Sequence, residues 1–368
     1  MRGRTAILMD YLKPLEIAEY DVPDPDAGAV IVRITQAGLC GSDLHTWRGE
    51  YGNPLPSVGI PLGHEGVGAI YSLGKDVTTD FMGATLKEGD RIVFGMGYPC
   101  HRCVFCLSGD HNDCTNFKLT YKREAGEYPY FVSTYGDYLY LPPLHPIFKV
   151  PDELSDDVVV SLNCALGTVF QGLKSAGFQQ GQSIVTQGAG GLGLYAVALA
   201  KDIGASQIIA IDSQKPRLDL ARELGADATI DINELKTPEE RITKIRELTG
   251  DRGANVVMEL VGLSDLLPEG IEMLGPSGTY VEIGNFGSQT TNFRPSSVVR
   301  KALRIIGVRA YRPAYMPLML DFLTRNHQTI PLDRIISHKF SLDDIGKAFD
   351  QSEWSGHSIP VIRSAIIP

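Results

Sequence analysis

The sequence is poor in cysteine, with six in 368 residues. So few thiols in so long a chain cannot build the dense disulfide framework of a small secreted domain. It also lacks any apolar run of roughly eighteen residues, which argues against a membrane-spanning helix. Bases are fewer than acids, 34 against 44, and the net charge of −10 works against binding polyanions such as nucleic acid. The opening stretch MRGRTAILMDYLKPLE breaks into polar residues and proline before a secretory apolar region forms, so a cytoplasmic location is expected. No internal repeat or low-complexity tract is present. What remains is an ordinary globular composition in a chain long enough to call for two domains.

The scarce cysteines are unevenly placed. Four of them, Cys100, Cys103, Cys106 and Cys114, stand in PCHRCVFCLSGDHNDC with the spacing C-x2-C-x2-C-x7-C. Tetrahedral zinc needs four soft donors about 2.3 Å from one point, and short separations let a turning backbone aim successive sulfurs inward. Four thiolates leave no open coordination position, so the site is expected to be structural. An iron–sulfur cluster uses other spacings, the compartment disfavours disulfides, and the acids of the loop disfavour a zinc ribbon for nucleic acid. The flanking stretches GDRIVFGMG and YFVSTYGDYLYLPP both read as strands, which makes the loop a metal-stapled excursion without a core of its own.

The other two cysteines are Cys40, in GLCGSDLH, and Cys164, in NCALGTV. Ser42, Asp43 and His45 follow Cys40, and His64 and Glu65 come after a Pro/Gly-rich stretch. Cysteine, histidine and cysteine make a three-ligand set for catalytic zinc with the fourth position left for water or substrate. A lone cysteine is otherwise a small core hydrophobe. Further on, SIVTQ reads as a strand, Gly188, Gly190 and Gly193 give G-x-G-x-x-G, LGLYAVALAKDIG has helical apolar spacing, and QIIAID is a strand ending in Asp212. This order is a dinucleotide fingerprint. Gly191 and Leu192 belong to the same turn, where backbone and helix N-terminus can approach a pyrophosphate. Asp212 would accept bonds from the adenosine ribose hydroxyls and repel a 2′-phosphate, favouring NAD over NADP. Lys215 and Arg217 lie just beyond and soften that preference.

Taken together, GLCGSDLH, GHEGVG, the four-cysteine loop, NCALGTV and GAGGLG, in that order, resemble the zinc-dependent medium-chain alcohol dehydrogenase family over nearly the whole chain. CGSDLHTWRG followed by NCALGTV is similar to a branch that includes phosphonate-catabolism-associated and hydroxycamphor dehydrogenases. The resemblance implies two zinc ions per chain: a catalytic one on Cys40, His64 and Cys164, and a structural one on the remaining four cysteines. Glu65 then matches a carboxylate that approaches the metal during ligand exchange. Asp43 matches the acid that orients the zinc-bound histidine, Ser42 the hydroxyl that takes the substrate proton, and His45 the outer end of the proton relay. Thr168 matches a threonine that packs against the nicotinamide.

The expected architecture is α/β. Residues 1–165 with 306–368 would form a GroES-like, largely β catalytic domain, its zinc lobe at 99–115. Residues 166–305 would form a Rossmann domain with a doubly wound parallel sheet, the active site lying in the cleft between the two. The implied reaction is reversible oxidation of an alcohol, a secondary and cyclic one by subfamily resemblance, to a ketone or aldehyde by hydride transfer to NAD. A polyol or threonine-type dehydrogenase is the alternative. An enoyl reductase fits poorly, because many lack these metal ligands, and a non-enzymatic protein of the same fold fits poorly with a complete proton relay. The expected partners are the small alcohol or ketone and further copies of the chain, as homodimer or homotetramer, with no nucleic acid and no membrane. Trp47, Tyr51, Phe94 and Phe286 are candidates for the substrate pocket, each with core packing as the simpler role. The tyrosine-rich stretch 115–138 is either an ordinary solvated loop or a modifier of the cleft.

Overall fold

The computed structural model describes residues 1–119, 123–285, 287–353 and 361–368. The chain divides into two compact units. One comprises Met1–Cys164, Arg312–His327 and Asp333–Pro368; the other comprises Ala165–Tyr311 and Gln328–Leu332. Among the described residues no helix is long and apolar enough to cross a membrane.

The first unit is mainly β. Its larger sheet runs Ile147–Lys149, Arg91–Phe94, Val67–Leu73, Val30–Gly38, Ser364–Ile367, His338–Ser341, and Tyr138–Leu141 also pairs with Val30–Gly38. The strand near the C-terminus therefore lies directly against an N-terminal one, with Ala365 opposite Gly38 and Ile366 opposite Ala37. That pairing explains why the tail belongs to this unit. Leu342, Ile345, Ala348 and Phe349 from the tail share a core with Val32, Ile34, Leu44, Trp47 and Phe94.

Two sequence readings change here. YFVSTYGDYLYLPP yields a strand only over Tyr138–Leu141. Ahead of it Tyr130 has φ 66, which interrupts an extended run. The tyrosine-rich stretch is not simply solvated, since Phe131, Tyr138 and Tyr140 are buried in a small separate core with Ala29 and Ile31. Tyr130 stacks on Tyr20 at 5.0 Å, and Tyr140 donates to Asp26 at 2.7 Å.

The second unit holds a parallel sheet in the order Ala228–Asp231, Gln207–Asp212, Ser183–Gln187, Ala254–Glu259, Leu274–Glu282, Arg304–Gly307. Numbered along the chain this is third, second, first, fourth, fifth, sixth, the doubly wound pattern with its order reversing beside the first strand. Strands buried on both faces read as continuous apolar runs, and SIVTQ is buried throughout. The last strand, Arg304–Gly307, straddles the boundary expected at 305; because it pairs in this sheet, the unit continues to Tyr311.

Under the sheet, Arg241 and Glu269 form a buried two-pronged ion pair at 2.7 and 2.8 Å, and Arg241 also donates to the Leu235 carbonyl at 2.8 Å. Removing one partner strands a buried charge. Glu269→Ala should therefore destabilise the fold by about 3–5 kcal/mol, and the double change Arg241→Met/Glu269→Leu should recover most of that. Denaturant unfolding of the three proteins tests this; a single variant as stable as the parent would refute it.

Candidate active site and metal centres

Cys40, His64, Glu65 and Cys164 each offer a donor atom, and these atoms all lie within 4.8 Å of one another. Cys40 Sγ is 3.8 Å from Cys164 Sγ, and His64 Nε2 is 3.3 Å from Cys164 Sγ. Ligands at zinc bond lengths in a tetrahedron stand about 3.5–3.8 Å apart, so this donor set fits one ion. Cys40 caps the helix Gly41–Trp47, and Cys164 sits in the π-helical turn Leu162–Leu166. Such turns are frequent at functional sites.

Asp43 organises the centre. One of its oxygens accepts the Cys40 backbone N–H at 3.1 Å and the Tyr135 hydroxyl at 2.6 Å; the other takes the His64 Nδ1 hydrogen at 3.2 Å. That last bond fixes the His64 tautomer and leaves Nε2 bare toward the sulfurs. Asn163 holds the same segment, donating to the His64 carbonyl at 3.0 Å. Without a metal, Cys40 is drawn well below the usual thiol range because Cys164 donates to it, and Cys164 is correspondingly raised. Glu65 is completely buried and pairs with Arg363. Burial pushes its carboxyl up to about 7 against the pull of that guanidinium.

The second group, Cys100, Cys103, Cys106 and Cys114, meets the same distance test. Cys106 Sγ lies 3.5 Å from Cys103 Sγ and 3.9 Å from Cys100 Sγ. All six cysteines are free thiols, which removes the disulfide reading. Four sulfurs this close suit a single ion better than a multi-iron cluster. Burial pushes the Cys106 thiol up to about 12, whereas the Arg102 backbone N–H helps bring Cys100 down to about 6. Metal uptake must therefore displace at least the Cys106 proton at neutral pH.

Ser42 and His45 lie three positions apart on the helix Gly41–Trp47. His45 Nδ1 pairs with the Glu50 carboxylate, whose other oxygen takes Arg48 at 3.4 Å; Arg48 in turn binds Glu353 at 2.7 Å. Among the aromatic pocket candidates, Trp47 and Phe94 are core residues, and Trp47 donates to the Lys13 carbonyl at 2.7 Å. Tyr51 stays exposed on one side, its ring 6.2 Å from His45. Its hydroxyl is pushed up to about 12 by partial burial and the negative charge at Cys40 and Asp43. Phe286 lies outside the described residues.

In the second unit the strand Ser183–Gln187 runs into Gly188, and Gly190 caps the helix Gly191–Ile203, with Leu192 in its first turn. A Cβ at Gly193 would fall 2.0 Å from the Gly188 carbonyl oxygen, so only glycine permits this turn. Asp212 accepts the Ala189 N–H at 2.7 Å and the Gln214 N–H at 2.9 Å, with Arg217 at 3.8 Å. A carboxylate has about four acceptor sites, so capacity for ribose hydroxyls remains. Thr168 is buried in the first turn of the helix Gly167–Ala176.

Residues 26–152 match the alcohol dehydrogenase GroES-like domain, and residues 191–325 match the zinc-binding dehydrogenase domain. The chain is 35% identical over 370 residues to 5-exo-hydroxycamphor dehydrogenase of Pseudomonas putida, covering 99% of each. It is 28% identical over 352 residues to sorbitol dehydrogenase of Halalkalibacterium halodurans, covering 95% of each. The crystal structure of an alcohol dehydrogenase from Thermotoga maritima matches all of both chains with a TM-score of 0.92 at 31% identity. The chain belongs to the zinc-binding, medium-chain alcohol dehydrogenase family.

As a member of this alcohol dehydrogenase family it is an oxidoreductase acting on CH–OH groups. Sequence reasoning missed Arg363, Tyr135, Asn163 and Glu50, which touch the donor cluster, its supports or His45 from distant or unremarkable positions. Only Asn163, beside Cys164 in the motif NCALGTV, carried a visible signal. Two substitutions separate the metal centres. Cys164→Ser should lower metal content by one ion per chain and cut turnover by more than about a hundredfold, since even partners behind the ligands are worth 10–100-fold. Cys103→Ala should also cost one ion but appear mainly as a lower melting temperature. Metal analysis with thermal unfolding checks both, and full metal content in either variant would refute that assignment.

Proposed function

We propose that the chain is a two-zinc, NAD-linked dehydrogenase of a secondary alcohol, with Cys40, His64 and Cys164 holding the catalytic ion and the four-cysteine lobe a structural one. The observation that carries this reading is the convergent three-donor set, Cys40 and His64 buried and Cys164 half-buried, with its histidine tautomer fixed by Asp43. When bound, zinc supplies Lewis acidity at the alcohol oxygen and the nicotinamide supplies the hydride acceptor. The chain's own residues handle the proton. Ser42 would take it from the alcohol while releasing its own hydroxyl proton toward His45, which passes a proton on to solvent. With Nδ1–H held by Glu50, His45 presents Nε2 as the acceptor. Asp43 keeps His64 oriented throughout, and Arg363 balances the charge of Glu65.

Asp212 at the end of its strand supports NAD over NADP, and Arg217 beside it supports some tolerance of a 2′-phosphate. The 35% identity to 5-exo-hydroxycamphor dehydrogenase favours a cyclic secondary alcohol. A polyol is the second reading, favoured by the sorbitol dehydrogenase relative. Self-association as dimer or tetramer belongs to the same proposal, supported by the outer strand Arg304–Gly307, where Ile305 is 42% exposed.

The test is NADH formation by the zinc-loaded protein over cyclic and linear secondary alcohols, primary alcohols, polyols, β-hydroxy amino acids and hydroxyalkylphosphonates. Cyclic secondary alcohols should lead, and a protein that neither binds NAD+ nor oxidises any of them would refute the reading. In the same assay Asp212→Ala should narrow the preference for NAD+ over NADP+ by about tenfold or more, the worth of one charge-assisted hydrogen bond. An unchanged ratio would remove Asp212 from the ribose site.

A further inference from the structure

Two glutamates stand at the carboxyl ends of neighbouring parallel strands, Glu259 closing Ala254–Glu259 and Glu282 closing Leu274–Glu282. Glu259 is completely buried. One of its oxygens accepts the backbone N–H of Val261 at 2.7 Å and of Gly262 at 2.6 Å; the other accepts that of Gly284 at 3.0 Å. A single side chain thus ties the loop leaving its own strand to the loop leaving the next. The two loops touch through their backbones. A Cβ at Gly284 would lie 2.6 Å from the Gly262 nitrogen and 2.7 Å from a Glu259 oxygen, so a side chain there would push them apart. Asn285 adds a second tie, donating to the Ser264 hydroxyl at 2.7 Å. All three of these backbone partners are donors. Burial and the neighbouring Glu259 push the Glu282 carboxyl up to about 8.

The clamp lies where the strand order reverses. Leu260 N–H donates to the Gln187 carbonyl at 3.0 Å, and Val261 packs where a Cβ on Gly188 would sit. Dinucleotides bind across such a switch point, one half over each set of strands. With the pyrophosphate at the glycine turn and the adenosine ribose at Asp212, the other half extends over the fourth and fifth strands.

We propose that Glu259 is a positioning residue for the nicotinamide half of the cofactor, holding loops 260–262 and 283–285 in the arrangement that receives it. This rests on the dehydrogenase reading above. The test measures Kd for NAD+ and for ADP-ribose, which lacks the nicotinamide, on the zinc-loaded full chain. Glu259→Gln sets an amide N–H against a backbone N–H, so Kd for NAD+ should rise about tenfold or more, while Kd for ADP-ribose stays within about twofold. Gly284→Ala disturbs the same contact from the opposite side and should give the same split, which supplies the answer if the glutamine variant does not fold. Equal weakening of both ligands, the mark of a merely structural role, overturns the proposal, as does unchanged NAD+ affinity. A parent protein that binds neither ligand instead refutes the dehydrogenase reading and this proposal with it, so the two failures are distinguishable.

Discussion

The metal centre of the first unit depends on the burial of one carboxylate. Asp43 is 2% exposed, and a buried charge is tolerable only when donors surround it. Its three donors come from three segments: the amide of Cys40, the ring of His64 and the hydroxyl of Tyr135. Satisfying Asp43 therefore fixes the entry of the helix Gly41–Trp47, the glycine-rich approach to His64 and the irregular stretch before Tyr138–Leu141 in one step. The Tyr135 hydroxyl also lies 3.2 Å from the Gly38 carbonyl, at the end of the central strand. The centre is preorganised because the same bonds that settle a buried charge also aim the ligands.

The two metal groups differ in how they handle charge. In the lobe, four thiolates would outweigh a divalent cation by two charges, and Cys100 and Cys103 sit partly exposed where water can screen the excess. In the other group, two thiolates and a neutral histidine would balance a divalent ion, leaving any further negative charge poorly screened. Glu65 is that charge, and Arg363 is its counterweight. The guanidinium arrives just ahead of the strand Ser364–Ile367, whose pairing with Val30–Gly38 is one of the longest-range connections in the unit. The sheet topology thus neutralises the metal centre as well as closing the core.

That division also marks what could be read from the residues alone. The four-cysteine spacing, the glycine turn, the helix Gly191–Ile203 and the run of parallel strands are local patterns, and each appears where its period and punctuation place it. Arg363, Tyr135 and Glu50 act through pairings that no local pattern announces. Trp47 is the instructive intermediate. Its closeness in sequence to Ser42 and His45 suggests the pocket, yet it follows Leu44 by three positions and so shares the buried face of the helix. Core packing, the simpler of the two roles open to it, is the one it has.

The crest of the parallel sheet carries a related constraint. Asp212, Glu259 and Glu282 all stand at the carboxyl ends of strands, where a dinucleotide would bring the negative charge of its pyrophosphate. Three free carboxylates would repel it. Each acid is quenched differently: Asp212 by two backbone amides and nearby Arg217, Glu259 by three amides, and Glu282 by keeping its proton near neutral pH. The helix N-terminus at Gly191 then meets an anion with its field largely unopposed. Acids can shape the loops at this edge without repelling an anionic ligand only because the backbone around them has already absorbed their charge.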